Sequence, residues 1–211
     1  MLQYCKICKT DMDFKIIDNS NIDNIAGLNS HVLLFNYTFA TIYNNAHAEL
    51  YQNSSAKLFN NSFAELYDNS SAELLDESYV TLWNNSKAKL YGNSHAILYD
   101  NSNVRLWNNS SAELYDESFA KLYNHSFSKL YNKSSAELWN ISSAELFNDT
   151  SAKLYIKTHA KLFHNSSAIL FDKSSAKLYD NSSAELYHYS HVILKEYKSV
   201  KLYDRSYIKR D

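Results

Sequence analysis

An eight-residue period runs through this chain from Val32 to Ile208 with no insertion or deletion. Residues 48–71 show it plainly: AELYQNSS, AKLFNNSF, AELYDNSS. The unit is Ala-x-Leu-aromatic-x-Asn-Ser-x, with places numbered one to eight. Place three is Leu at every occurrence from Leu50 to Leu202. Place one is Ala, with Val80, Val104, Val192 and Val200 as the main variants. Place four is an aromatic ring except at Leu75 and Lys195. A fixed tile of this kind must be read before anything else, because it dictates the fold.

The restricted places seven, one and three lie two apart, and the places between them vary. That alternation marks a strand with one buried face. Ser-x-Ala-x-Leu is therefore expected to be a five-residue strand with Ser, Ala and Leu inward. The other three residues, such as Tyr67-Asp68-Asn69, must turn the chain. Asn and Asp tolerate left-handed backbone angles, so they replace the usual turn residues. Those are scarce here: the chain has two Gly and no Pro, against roughly 15 and 10 at average usage for this length. An eight-residue period drifts on a helix of ~3.6 residues per turn, so a helical reading fails.

So short a strand cannot stand alone. Copies must stack, and the expected fold is all-β, a single-stranded, right-handed β-solenoid of eight-residue repeats. A coil could hold two repeats, sixteen residues in all, or three repeats, making twenty-four. Core volume favours two, because facing strands then set Ser against Leu and Ala against Ala. About eleven such coils would give a rod roughly 50–55 Å long.

The small-x-x-aromatic-x-Asn-Ser-Ser unit over residues 32–208 resembles uncharacterised octapeptide-repeat proteins of bacteria and their phages. It is also similar to the sixteen-residue tandem arrays of bacterial ice-nucleation proteins, which are β-solenoids. The resemblance implies the fold. Ice-nucleation arrays present outward Thr ladders; the outward places here hold Lys, Glu, Ser, His and rings, with Thr41 and Thr81 isolated.

Residues 1–31 are less regular. Phe14–Asn21 fits the unit out of phase, and two extra residues surround Ala26-Gly27. We read 1–31 as an N-terminal cap over the first strand edge and 32–211 as the repeat domain. Cys5 and Cys8 have the spacing of half a zinc or redox site, with no second half in the chain. Incidental or structural cysteines, a metal shared in a dimer, and redox chemistry all remain open for this pair. No basic-then-apolar leader and no long apolar run is visible, so a cytoplasmic, membrane-free protein is expected.

The chemistry classes narrow further. Two glycines cannot write a phosphate loop. A net charge of −2 gives no global field for nucleic acid. No loop breaks the array to assemble acids and bases, so no enzyme, cofactor or metal site is expected. Two outward lanes are the candidates. The first takes place eight in every second repeat: His47, Phe63, Tyr79, His95, Phe127, His159 and His191 are rings, extended by His31 and Tyr207 and broken by Ser111, Ser143 and Ser175. Such rings could grip a partner, or could pack on one another and stiffen the sheet. The second takes place two in every third repeat: Lys57, Arg105, Lys129, Lys153, Lys177 and Lys201 are basic. It is either a phosphate-tracking stripe or a solvated face that blocks sheet aggregation. The expected function is a non-enzymatic binding or scaffold solenoid, from a bacterium or phage, with another protein as partner. The alternatives are an inhibitor or mimic filling a partner's nucleic-acid groove, and a filament or surface element that self-associates through the C-terminal end.

Overall fold

The computed structural model describes residues 14–18, 21–26, 30–195 and 199–209. Its described residues form twenty-five strands and no helix, from β1 (Phe14–Asp18) to β25 (Tyr207–Lys209). The chain divides into two compact units, residues 1–104 and 105–211. In the first, odd-numbered strands pair only with odd and even only with even, always parallel. The second follows the same rule. From β3 (His31–Phe35) onward, partners are sixteen residues apart, as in His31↔His47 and Ser135↔Ser151. Each unit is thus a two-sheeted β-solenoid with two repeats per coil.

The inward assignment holds. Leu at place three is wholly buried from Leu50 to Leu186, and Ala at place one is at most 7% exposed. The seventh-place Ser is equally buried, yet most strands span four residues and begin after it. The cause is a division of labour within the Ser backbone. Ser54 N–H closes the turn on Tyr51 O at 3.1 Å, while Ser54 C=O accepts from Ser71 N–H at 3.0 Å in the next coil. Its hydroxyl reaches back to Leu34 O at 3.2 Å, so this buried hydroxyl keeps a partner.

Places five and six make the corners. In many turns both are left-handed, as in Gln52 (φ 49) and Asn53 (φ 65), the φ signature of a type I′ turn. In others, such as Asp76, only place five is. Gly92 (φ 67) sits at one of these, and an added Cβ would come within 3.2 Å of Asp76 O. Asx chemistry does not reach every corner. Ile156 (φ 53) and Lys157 (φ 59) form one with neither Asn nor Asp, and Ile156 is 44% exposed. A β-branched residue there is strained by its own Cβ. Ile156→Asn should therefore raise stability by about 1 kcal/mol, read as a higher denaturant midpoint.

The first coil departs from the rule. β1 pairs with β3 at an offset of seventeen, and β2 (Asn21–Ala26) pairs with β4 (Phe39–Tyr43) through a bulge between Ile22 and Ile25. One of the two extra residues noted above is thus taken up inside the strand rather than beside Gly27. Lys15 falls at the register position of Val32. A bulge is one device that discourages edge pairing. Residues 1–13 of the expected cap, Cys5 and Cys8 among them, lie outside the described residues.

Candidate binding surface

Because places seven, one and three point inward, place eight must point out. On the odd-numbered strands of the first unit it carries a ring in five consecutive coils. His31, His47, Phe63, Tyr79 and His95 are successive register partners. The His31 and His47 rings stack at 4.4 Å and 4°, His47 meets Phe63 at 4.7 Å and 57°, and Tyr79 meets His95 at 6.2 Å. Tyr79 is the most open, at 51% exposure.

Carboxylates at place two border this row. His31 Nε2 lies 2.9 Å from Glu49 Oε1, and His47 Nε2 lies 3.9 Å from Glu65 Oε1. Tyr51 donates its phenol proton to Glu49 at 2.6 Å, and Tyr67 donates likewise to Glu65. Burial, then the Glu49 hydrogen bond, pushes the Tyr51 phenol up to about 12; burial and the Glu65 hydrogen bond raise Tyr67 in the same way. Burial, then the neighbouring His31, holds His47 below its usual 6.5, against the pull of Glu65 and Glu49.

That shift has a sign in stability. A folded value below the unfolded one means the fold favours the neutral ring. The contribution is present above pH 6.5 and is lost as pH falls through the folded value. Taking the protein from about pH 7.5 to 5.5 should lower its melting temperature more than it lowers that of His47→Gln, whose side chain does not titrate.

The other lane residues are not joined in this way. In the second unit Phe127 lies between Ser111 and Ser143, and His159 between Ser143 and Ser175, with its Nδ1 2.5 Å from Ser175 Oγ. His191 stacks on Tyr207 at 5.3 Å. The structure therefore assembles the row from His31 to His95 and leaves Phe127, His159 and His191 separated.

The basic stripe does not form one face. A step of three repeats is one and a half coils, so its members alternate between sheets. Lys57 lies in β6 (Ser55–Leu58), Arg105 in β12 (Asn103–Leu106), Lys153 in β18 (Ser151–Leu154) and Lys201 in β24 (Ser199–Leu202). Lys129 and Lys177 lie in odd-numbered strands, β15 (Phe127–Leu130) and β21 (Ser175–Leu178). Two members face carboxylates of the adjacent coil: Lys57 is 3.5 Å from Glu73 and Lys201 is 2.7 Å from Glu185. Lys121–Glu137 and Lys161–Glu145, each at 2.9 Å, repeat the pattern.

Two features were missed in reading the sequence. The Glu-to-Tyr hydrogen bond uses places two and four, and its signal is the recurring Ala-Glu-Leu-Tyr. A trough of about 590 Å³ also runs over the even-numbered strands of the second unit, floored by Ser135, Ser151, Ser167, Ser183 and Ser199 and closed at one end by Phe119. Its signal is the alternate place-eight set, which is Ser in those five coils. No group of three or more His, Cys, Asp or Glu among the described residues could hold a metal ion. No helix of the described residues is long and apolar enough to cross a membrane.

No protein family, curated protein or solved structure matches this chain. The functional reading rests on the residues themselves.

Proposed function

We propose that this protein is a non-enzymatic, protein-binding scaffold whose contact side is the ring row His31-His47-Phe63-Tyr79-His95. One observation carries the reading: five outward rings are successive register partners on one sheet. Packing within the sheet does not need such a run: Phe127 and His159 each lie between Ser neighbours, and His191 has Tyr207 alone. Rings offer large contact area at small entropic cost, and Tyr and His add polar edges to it. The octapeptide unit points to a bacterial or phage source. The triple variant His47→Ser, Phe63→Ser, Tyr79→Ser should lose a partner that the wild type and Phe127→Ser both capture, with unchanged melting behaviour. Equal capture by all three proteins sinks the assignment of this face.

A second reading, self-association, has its own support. Leu202 is 44% exposed, whereas its equivalents from Leu50 to Leu186 are wholly buried, and Tyr203, Tyr207 and Ile208 are exposed beside it. Sedimentation that stays monomeric across concentration would eliminate it. The groove-filling reading is weaker, because Lys57 and Lys201 are already neutralised by Glu73 and Glu185.

A further inference from the structure

The fourth-place rings form stacked columns, and several steps set two phenols against each other. Tyr51 and Tyr67 stack at 4.9 Å and 7°, Tyr115 and Tyr131 at 5.0 Å and 10°, Tyr187 and Tyr203 at 4.7 Å and 3°. At other steps a Phe or Trp takes one or both places, as in Phe147–Phe163 and Trp139–Tyr155. The first pair is distinctive. Both its phenols donate to carboxylates two residues earlier, Tyr51 to Glu49 and Tyr67 to Glu65. Tyr115 has such an acceptor in Glu113 at 3.0 Å, but two residues before Tyr131 stands Lys129.

We propose that Tyr51 and Tyr67 are an oxidative modification site, at which a one-electron oxidant joins the two phenols through a carbon–carbon bond and staples adjacent coils. Phenol oxidation requires the O–H proton to leave with the electron, and a carboxylate already accepting that hydrogen bond is a ready base. With the Tyr51 phenol pushed up to about 12, loss of its proton beforehand is closed at neutral pH, so the acceptor matters. Each phenol gives one electron to the oxidant and its proton to Glu49 or Glu65. The two ring radicals then couple between their ortho carbons. Each of those carbons loses its hydrogen as a proton, and the phenol O–H groups re-form. The net change is two C–H bonds broken, one C–C bond formed, two electrons to the oxidant and two protons to solvent. Stacking within one chain places the partner radical at hand, so coupling does not await collision with a second molecule. Both rings are only half-buried, which lets them tilt into bonding geometry.

The test is brief photo-oxidation of the dilute full chain with a ruthenium tris-bipyridyl complex and persulfate. It is read by dityrosine fluorescence and by mass spectrometry of tryptic peptides. The expected product joins peptide 16–57 to peptide 58–87 with the loss of two hydrogens, and forms ahead of the Tyr115–Tyr131 link. Tyr67→Phe, which keeps the stack, should abolish it, and Glu49→Gln with Glu65→Gln should slow it several-fold. Cross-links found only between molecules, or only through the exposed Tyr37 and Tyr79, overturn the site. An unchanged rate in the double Gln variant overturns the role of the carboxylates.

Discussion

Truncating Leu154 to Ala is expected to cost about 2–5 kcal/mol, while Lys153→Ala, one residue earlier, should stay within about 0.5 kcal/mol. The two differ only in which way the strand pleat points them. Leu154 is wholly buried and lies in register between Leu138 and Leu170, so the lost methyl groups leave a void between the two neighbouring coils. Lys153 is exposed between Glu137 and Ile169 and makes no contact that its stem could not surrender to water. The cavity cannot close by collapse, because each coil is held at the sheet spacing by its neighbours. Since a solenoid coil touches only adjacent coils, part of the loss should appear as reduced cooperativity. Hydrogen exchange should show early opening around β18 in Leu154→Ala. Equal costs at both positions would refute the inward and outward assignment.

Much of this was legible because the repeat is its own control. Leu, Ala and Ser at alternate places can satisfy only one buried face, and twenty copies leave no other register. The coil length followed from core volume, which is a property of the same three residues. The corners were legible in kind but not in detail. Asn and Asp announce left-handed backbone, whereas Ile156 takes φ 53 with no residue preference of its own, held by the turns stacked around it. The bulge between Ile22 and Ile25 was visible only as a count of extra residues, since spacing does not say where a strand absorbs one. The ring lane and its breaks were visible as a stripe, but which rings become neighbours depends on the coil length. The breaks at Ser111, Ser143 and Ser175 were plain in the sequence, and pairing in register shows that they isolate Phe127 and His159 while His31 to His95 are true neighbours. The basic stripe failed for a related reason. Its period of three repeats is one and a half coils, so residues alike in the sequence land alternately on different sheets.

Placing a carboxyl at an inward place should be as damaging as removing a Leu, and its pH dependence identifies the cause. Ala144 is 2% exposed and lies in register between Ser128 and Ala160, and Ser128 Oγ itself has no hydrogen-bond partner. Ala144→Asp would bury a charge with no cation at hand and only the Ser128 hydroxyl as a donor, at an expected cost of about 3–5 kcal/mol at neutral pH. The adjacent outward Ser143→Asp should stay within about 0.5 kcal/mol. Burial disfavours the ionised carboxyl, so the folded pKa of Asp at position 144 rises above its unfolded value of roughly 3.9. Stability relative to wild type is then greatest below that unfolded value and is lost as pH rises through the folded one. The defect of Ala144→Asp should therefore shrink as denaturation is measured at lower pH, each value compared with wild type under the same conditions. A purely steric defect from the added atoms would be the same at every pH. A small, flat difference would show that the inward column has room or water to solvate a charge, which the narrow Ser-Ala-Leu face does not allow.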